Sequence, residues 1–263
     1  MSDLVLTEQH GGVLVVTLNQ PSRLNALNGE MWQALGTAVR TAERDASVRA
    51  LVLTGAGQGF SSGADLTEFR PGDSSFDPGA GLRGRINPLV LRMRALEKPV
   101  LAAVNGVAAG AGLGLALACD VRIADASARL VVAFVRIGLV PDAGCLYFLP
   151  RLVGHAKALE LCWTGDAVGA QEAEALGLIN RVVPDGQALA ATRELAERLA
   201  HGPAKALGLM KRALNQAHEL PLARALELEV GYQTLAAREP DFAEGVAAFR
   251  EKRAARFGGA PSD

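Results

Sequence analysis

Two glycine-rich loops, Phe60-Ser61-Ser62-Gly63-Ala64-Asp65-Leu66 and Asn105-Gly106-Val107-Ala108-Ala109-Gly110-Ala111-Gly112, constrain this chain more than any other feature. Each follows a short, continuous apolar run, at 50–54 and 100–104, bounded by turn residues, and such runs read as buried strands. The loops therefore belong at strand ends and are expected to meet at one sheet edge. Gly63 and Gly110 allow positive φ and carry no side chain, so a ligand can approach the main-chain N–H groups closely. Two such groups aimed at one point hold a developing negative oxygen, and the pair of loops points to an oxyanion hole. Two tight turns that only reverse the chain are the structural alternative.

At 263 residues the chain holds one sizeable core plus a small accessory unit. Its 27 Lys and Arg residues nearly balance 28 Asp and Glu, and the arginines are scattered among acids. No segment carries the basic excess of a nucleic-acid binder, although one basic pocket for a phosphorylated ligand remains compatible with this balance. Cys119, Cys145 and Cys162 form no paired framework, and no metal-ligand spacing surrounds the four histidines. The start, MSDLVLTEQHGG, lacks a basic region followed by an apolar one, so a reduced, cytoplasmic setting is expected. Residues 99–119 are almost uncharged, and Gly106, Gly110 and Gly114 repeat the spacing of membrane helix pairs. That stretch is mostly Ala and Gly with Pro99 and Asn105, which supply little transfer energy, so a buried strand, turn and helix explains it better than a membrane span.

The pattern predicts a hairpin of 4–8 and 13–18 about Gly11-Gly12. An amphipathic helix over 28–45 carries Met31, Leu35, Ala38, Val39 and Ala42 on one side. Residues 71–81 read as a turn-rich, mobile segment before a helix at 82–97. A short helix at 112–118 and strands near 121–124 and 130–133 follow. From about 155 strands are expected to give way to helices at 155–163, 170–176, 186–200, 203–217, 221–236 and 241–255. Leu222, Leu226, Val230 and Leu235 fall at roughly helical spacing, which by default is packing against neighbouring helices.

The ordered set Asn19-Gln20-Pro21-Ser22-Arg23-Leu24-Asn25-Ala26-Leu27, FSSGADL, KPVLAAVNGVAAGAG, Cys119-Asp120, GLVPDAG at 138–144, and Phe249 with Lys252-Arg253 resembles the enoyl-CoA hydratase/isomerase (crotonase) superfamily from about Val13 to Phe257. The resemblance implies an α/β fold: a spiral of strand-strand-helix units over 1–200 and a C-terminal helical oligomerisation region over 201–263. It also implies a homotrimer or a hexamer built as a dimer of trimers. The substrate implied is an acyl-CoA thioester, with CoA arriving as part of the substrate and no metal or redox cofactor.

Residue by residue, the resemblance places oxyanion donors at the backbone N–H groups of Ala64 and Ala111. Ala111 stands where glycine is commoner in the family, and the donor survives because only proline lacks the N–H. The helix that follows turns its positive N-terminal end towards the same place. Arg23, Ser62, Ala64, Asp65, Leu66 and Ala111 match positions lining the CoA path. Phe249 and Lys252 match a C-terminal pair that reaches the nucleotide, often across a subunit boundary; Lys252 reads equally well as a solvated lysine. Family hydratases use two glutamates, and the matching positions here hold Gly114 and Phe134. Neither transfers a proton, so simple hydration is not expected.

One carboxylate remains. Asp142 lies in a stretch, Phe134 to Asp142, resembling the ring-epoxide isomerases of phenylacetyl-CoA breakdown, and it aligns with the acid of Δ3,Δ2-enoyl-CoA isomerases. The sequence leaves two roles open for it: a proton shuttle in a pocket walled by Phe134 and Leu139, with a raised pKa, or an N-cap for the helix that follows. Dehalogenases of the superfamily use the same aspartate as a nucleophile with a histidine base, and no histidine lies between His10 and His155. A CoA-ester binding protein without turnover is the reading from outside enzymology. Cys145, with no histidine nearby in sequence, reads as a small packing residue.

Overall fold

A computed structural model describes residues 4–70, 72 and 77–259. The first hairpin is β1 (Val5–His10) and β2 (Val13–Leu18), followed by α1 (Gly29–Arg44), β3 (Ala50–Gly55) and β4 (Gly59–Ser61). Helix α2 (Pro78–Gly81) runs through a π-turn at Leu82–Ile86 into α3 (Asn87–Ala95). Then come β5 (Val100–Val104), β6 (Val107–Ala109), α4 (Ala111–Ala118), β7 (Val121–Asp125) and β8 (Arg129–Val131). A 3₁₀ turn at Ala133–Ile137 leads to α5 (Cys145–Val153), α6 (His155–Thr164), β9 (Ala167–Gly169), α7 (Ala170–Ala175) and β10 (Arg181–Val183). The chain closes with α8 (Ala188–Ala200), α9 (Ala204–Ala217), α10 (Leu222–Ala236) and α11 (Pro240–Glu251).

Strands β1-β2-β3-β5-β7-β10 form one sheet, parallel except for the β1–β2 hairpin. Its central strands are uninterrupted apolar runs because both faces are covered. Val13, Val15, Ala50, Val52, Leu101 and Ala103 face α8, where Ala188, Ala196 and Ala200 complete a small core. The alternate residues Leu14, Val16, Leu51, Leu53, Val100, Ala102 and Val104 join the main core with Met31, Leu35 and Val39 of α1 and Leu113 and Leu117 of α4. This alternation follows from the two-residue period of a strand.

A second sheet, β4-β6-β8-β9, carries the glycine loops. The loops do not leave the long strands directly, as the sequence pattern had it. Each long strand passes first into a short strand, and β4 and β6 pair in parallel with Gly59 opposite Val107 and Ser61 opposite Ala108. Parallel pairing brings the two C-terminal ends side by side, so Ser62–Asp65 and Gly110–Ala111 emerge together.

Two further differences from the sequence reading have local causes. Pro78 sits at the first position of α2, where its fixed φ and missing N–H are tolerated, and starts the helix four residues before 82. Of the segment expected to be mobile, residues 71 and 73–76 lie outside the described residues. The strands also do not end by 155: β9 and β10, three residues each, pair with β8 and β7. Runs that short carry no readable period. No helix among the described residues is long and apolar enough to cross a membrane, and the 99–119 segment folds as β5, β6 and α4.

Candidate active site

The first glycine loop is held by the segment 19–27. Leu24 and Asn25 both adopt left-handed backbone, which turns the chain so that the buried Asn25 amide donates to the carbonyls of Ala56 and Gly59 at 2.9 and 2.8 Å. Ser61 Oγ donates to the Asn25 carbonyl at 2.8 Å. Leu27 then bridges to Ala64: Leu27 N donates to Gly63 O, and Asp65 N donates to Leu27 O. These bonds use the residues on either side of Ala64. The Ala64 N–H itself donates to no acceptor among the described residues.

The second loop ends at Gly110, whose φ of +51° and ψ of −126° suit glycine alone. Gly110 is also the N-cap of α4, and without a side chain it leaves the first N–H of the helix, that of Ala111, uncapped. Gly63, with φ +98°, lies against this turn, where a Cβ would be 3.5 Å from Ala111 N. Two N–H groups without a partner among the described residues thus sit on touching loops, one at the positive end of an eight-residue helix.

Arg23, Ser62 and Asp65 form one cluster beside the first loop. Arg23 pairs with Asp65 at 2.8 Å, and Ser62 Oγ donates to the Arg23 carbonyl at 3.1 Å. Hydrogen bonds from Thr67, then the Arg23 guanidinium, hold the Asp65 carboxyl below the ordinary carboxylate range despite its burial. Leu66 next to it is half exposed. Phe249 and Lys252 lie elsewhere in the chain. Phe249 lines a groove of about 380 Å³ with Pro203, Gln233, Phe242 and Phe257, and Lys252 caps α11 in left-handed backbone.

Asp142 stands on the turn between the 133–137 segment and α5. It does not cap that helix with its side chain: Gly144 is the N-cap, and the bond across the turn runs from Cys145 N to the main-chain oxygen of Asp142 at 2.9 Å. Its Oδ1 is buried and meets no donor among the described residues. Burial without compensation pushes the carboxyl up to about 6. Phe134, at a position where family hydratases place an acid, is buried in the core, while Leu139 lies on the exposed side of the turn. Cys145 is buried with Sγ 4.0 Å from Gly110 O, and burial raises its thiol. Among the described residues no group of three His, Cys, Asp or Glu is placed to hold a metal.

The enoyl-CoA hydratase/isomerase family model matches residues 8–260. The chain belongs to this family. A 1,2-epoxyphenylacetyl-CoA isomerase of Escherichia coli (strain K12) is 44% identical over 98% of the chain and 100% of its own length. A 4-chlorobenzoyl coenzyme A dehalogenase of an Arthrobacter species is 36% identical over 94% of the chain and 91% of its own length. Among solved structures, an enoyl-CoA hydratase from Bacillus anthracis superposes with a TM-score of 0.92 at 33% identity, covering 98% of this chain and all of that one. The fold expected from sequence, a mixed α/β crotonase architecture with helices at the C-terminus, is the one found.

Sequence reasoning singled out the glycine loops and Asp142 but missed what holds the loops. Asn25 and Asn105 are the clamps: the Asn105 amide donates to Gly55 O and Gly57 O at 2.8 and 3.0 Å. Both lie inside the quoted motifs. The available signal was an asparagine next to a turn, since its short amide reaches nearby main chain.

Proposed function

We propose that this family member is an acyl-CoA isomerase in which Asp142 moves a proton and the N–H groups of Ala64 and Ala111 hold the thioester oxygen. The observation that carries the reading is the state of Asp142: a buried carboxylate oxygen without a donor, no capping duty, and a pKa near 6. A group poised there accepts a proton near neutrality and gives it back, as a general base must. With the thioester oxygen on the two donors, removal of a C2 proton by Asp142 sends the C–H electron pair into the carbonyl, giving an enolate whose negative oxygen the donors stabilise. Return of the same proton to C4 converts a β,γ-enoyl thioester to its α,β isomer, with no atom gained or lost.

The finer reading is a ring-1,2-epoxyphenylacetyl-CoA isomerase that also shifts Δ3 double bonds to Δ2. Its supports are the similarity to the Escherichia coli isomerase and glycine and phenylalanine at positions 114 and 134. CoA enters as part of the substrate, passing the Arg23, Ser62, Asp65 and Leu66 cluster, with Phe249 and Lys252 reaching its nucleotide end in a trimer or hexamer. The test is a panel of CoA thioesters offered to purified protein and to Asp142→Asn. A 3-enoyl-CoA and the ring epoxide should turn over, and the Asn variant should lose roughly 10²-fold or more. Crotonyl-CoA hydration should be negligible. Fast hydration, release of chloride from 4-chlorobenzoyl-CoA, or binding without turnover of any thioester would each reject the isomerase.

A further inference from the structure

Gly114 lies one turn into α4, the helix that begins at Ala111, and its open face is filled by the turn that carries Asp142. A Cβ on Gly114 would lie 2.7 Å from the Ala143 Cβ, 2.9 Å from the Ala143 carbonyl oxygen and 3.1 Å from Cys145 Sγ. The first two distances are shorter than side chains tolerate, so a side chain at 114 would force the turn or the helix to shift. Ala143 is buried and adopts φ +49°, a left-handed conformation that costs an L-residue roughly 1 kcal/mol or more. Such a conformation persists where surrounding contacts impose it. Here α4 supplies them on one side, and the bond from Cys145 N to Asp142 O closes the turn on the other.

We propose that Gly114 and Ala143 are a pair of positioning residues that holds the Asp142 carboxyl dry and in line with the helix carrying the Ala111 donor. The inference rests on the reading of Asp142 as the proton shuttle and goes beyond it. The position that bears a carboxylate in family hydratases is here a socket, and the turn that bears the proton-transferring group seats against it through Ala143 and Cys145. No charged side chain of α4 confuses the effect, since Ala111–Ala118 is wholly apolar. The titratable neighbour between the turn and α4 is the Cys145 thiol, and Arg136 of the 133–137 segment donates to Gly165 O.

The experiment compares wild type, Gly114→Ala, Ala143→Gly and the double variant, with 3-hexenoyl-CoA as substrate, reading kcat, KM, melting temperature and kcat/KM against pH. Gly114→Ala should lower kcat at least tenfold with KM changed less than threefold, because an ångström of displacement is costly to proton transfer but not to CoA binding. The acidic midpoint of kcat/KM should fall below 6 as water reaches the carboxyl. Ala143→Gly in the same chain removes the methyl that the new Cβ meets, and should restore part of the rate and the midpoint together. Should Gly114→Ala fail to fold, Ala143→Gly alone decides. Gly accepts φ +49° without strain, so this variant stays folded while its looser turn lowers the midpoint. A folded Gly114→Ala with wild-type rate and midpoint overturns the proposal, as does a rate loss with unmoved midpoint and no rescue. Asp142→Asn run alongside separates the failures: full activity there defeats the proton-shuttle reading, whereas an inactive Asn variant beside an unaffected Gly114→Ala defeats only the socket.

Discussion

The α-carbon of Gly63 faces the Ala109 carbonyl so closely that a Cβ would lie 2.8 Å from its oxygen. This contact sets the two N–H groups side by side, since Ala64 follows Gly63 and Ala111 lies two residues beyond Ala109. Gly63→Ala meets two obstacles: φ +98°, which L-residues avoid, and a backbone oxygen that cannot rotate away. The variant should push the loops apart, lower kcat roughly 10²-fold or more, the scale of losing one oxyanion donor, and cost at least about 1 kcal/mol of stability. Kinetics on a CoA thioester together with a urea melt check both. Wild-type turnover would mean that the approach of the loops does not set the donors.

Asp142 should make the fold less stable as pH rises. Its pKa stands at about 6 in the folded chain against an ordinary 3.8, so the folded state holds the proton more tightly than the unfolded one. The stabilisation this gives is complete below about pH 4 and lost as pH climbs through 6. The full shift corresponds to about 3 kcal/mol, and partial access of water reduces that to about 1–2 kcal/mol. Asp142→Asn keeps the shape without the charge, so the variant should melt higher than wild type at pH 7.5 and show little advantage at pH 4. Equal melting points at both pH values would place the carboxyl in water.

Most of the main sheet was legible in the sequence because its strands are buried on both faces and read as plain apolar runs, as at Val100–Val104. The helices with one apolar face, such as α1, were readable by their periodicity. Of the second sheet only β8 was read, since β4, β6 and β9 are three residues long and are defined by their partners. Ala64, Ala111 and Asp142 were singled out as candidates through their motifs. The relation between Gly114 and Ala143 was not, because it is a contact across the fold that exists through the absence of a side chain. Local sequence also favoured Asp142 as a helix cap, and the cap is taken instead by Gly144.

Asp120, next to Cys119 in the sequence, should prove a structural anchor. Its carboxylate accepts from Val100 N at 2.9 Å and pairs with Arg94 at 3.2 Å and Lys211 at 2.8 Å, tying α3, β5 and α9 together. Lys211 is nearly buried, and desolvation lowers its pKa, with Asp120 opposing that shift. Asp120→Ala leaves the Val100 N–H without its acceptor and the Lys211 ammonium without a counter-charge, held only by the carbonyls of Met93 and Lys98, which is expected to cost about 3 kcal/mol. Thermal unfolding should show a drop of several degrees or more. A loss under 1 kcal/mol would mean that water or another acceptor replaces the carboxylate.

The C-terminal helices leave an apolar surface uncovered by the chain itself. Leu222, Leu226 and Val230 on α10 are exposed by 75%, 51% and 59%, and Phe242 and Phe249 on α11 by 55% and 85%. Isolated apolar residues are common on protein surfaces, but so many on two adjacent helices mark a contact face. If that face joins copies of the chain into a closed ring, the protein should run as a trimer or hexamer in light scattering at micromolar concentration. The double variant Leu226→Glu with Val230→Glu puts two charges on the face without touching the core, since α10 contributes no buried residue. It should shift the mass to that of a monomer while the far-ultraviolet circular dichroism stays unchanged. A wild-type monomer would reject the assembly, and an intact oligomer in the double variant would move the interface off α10.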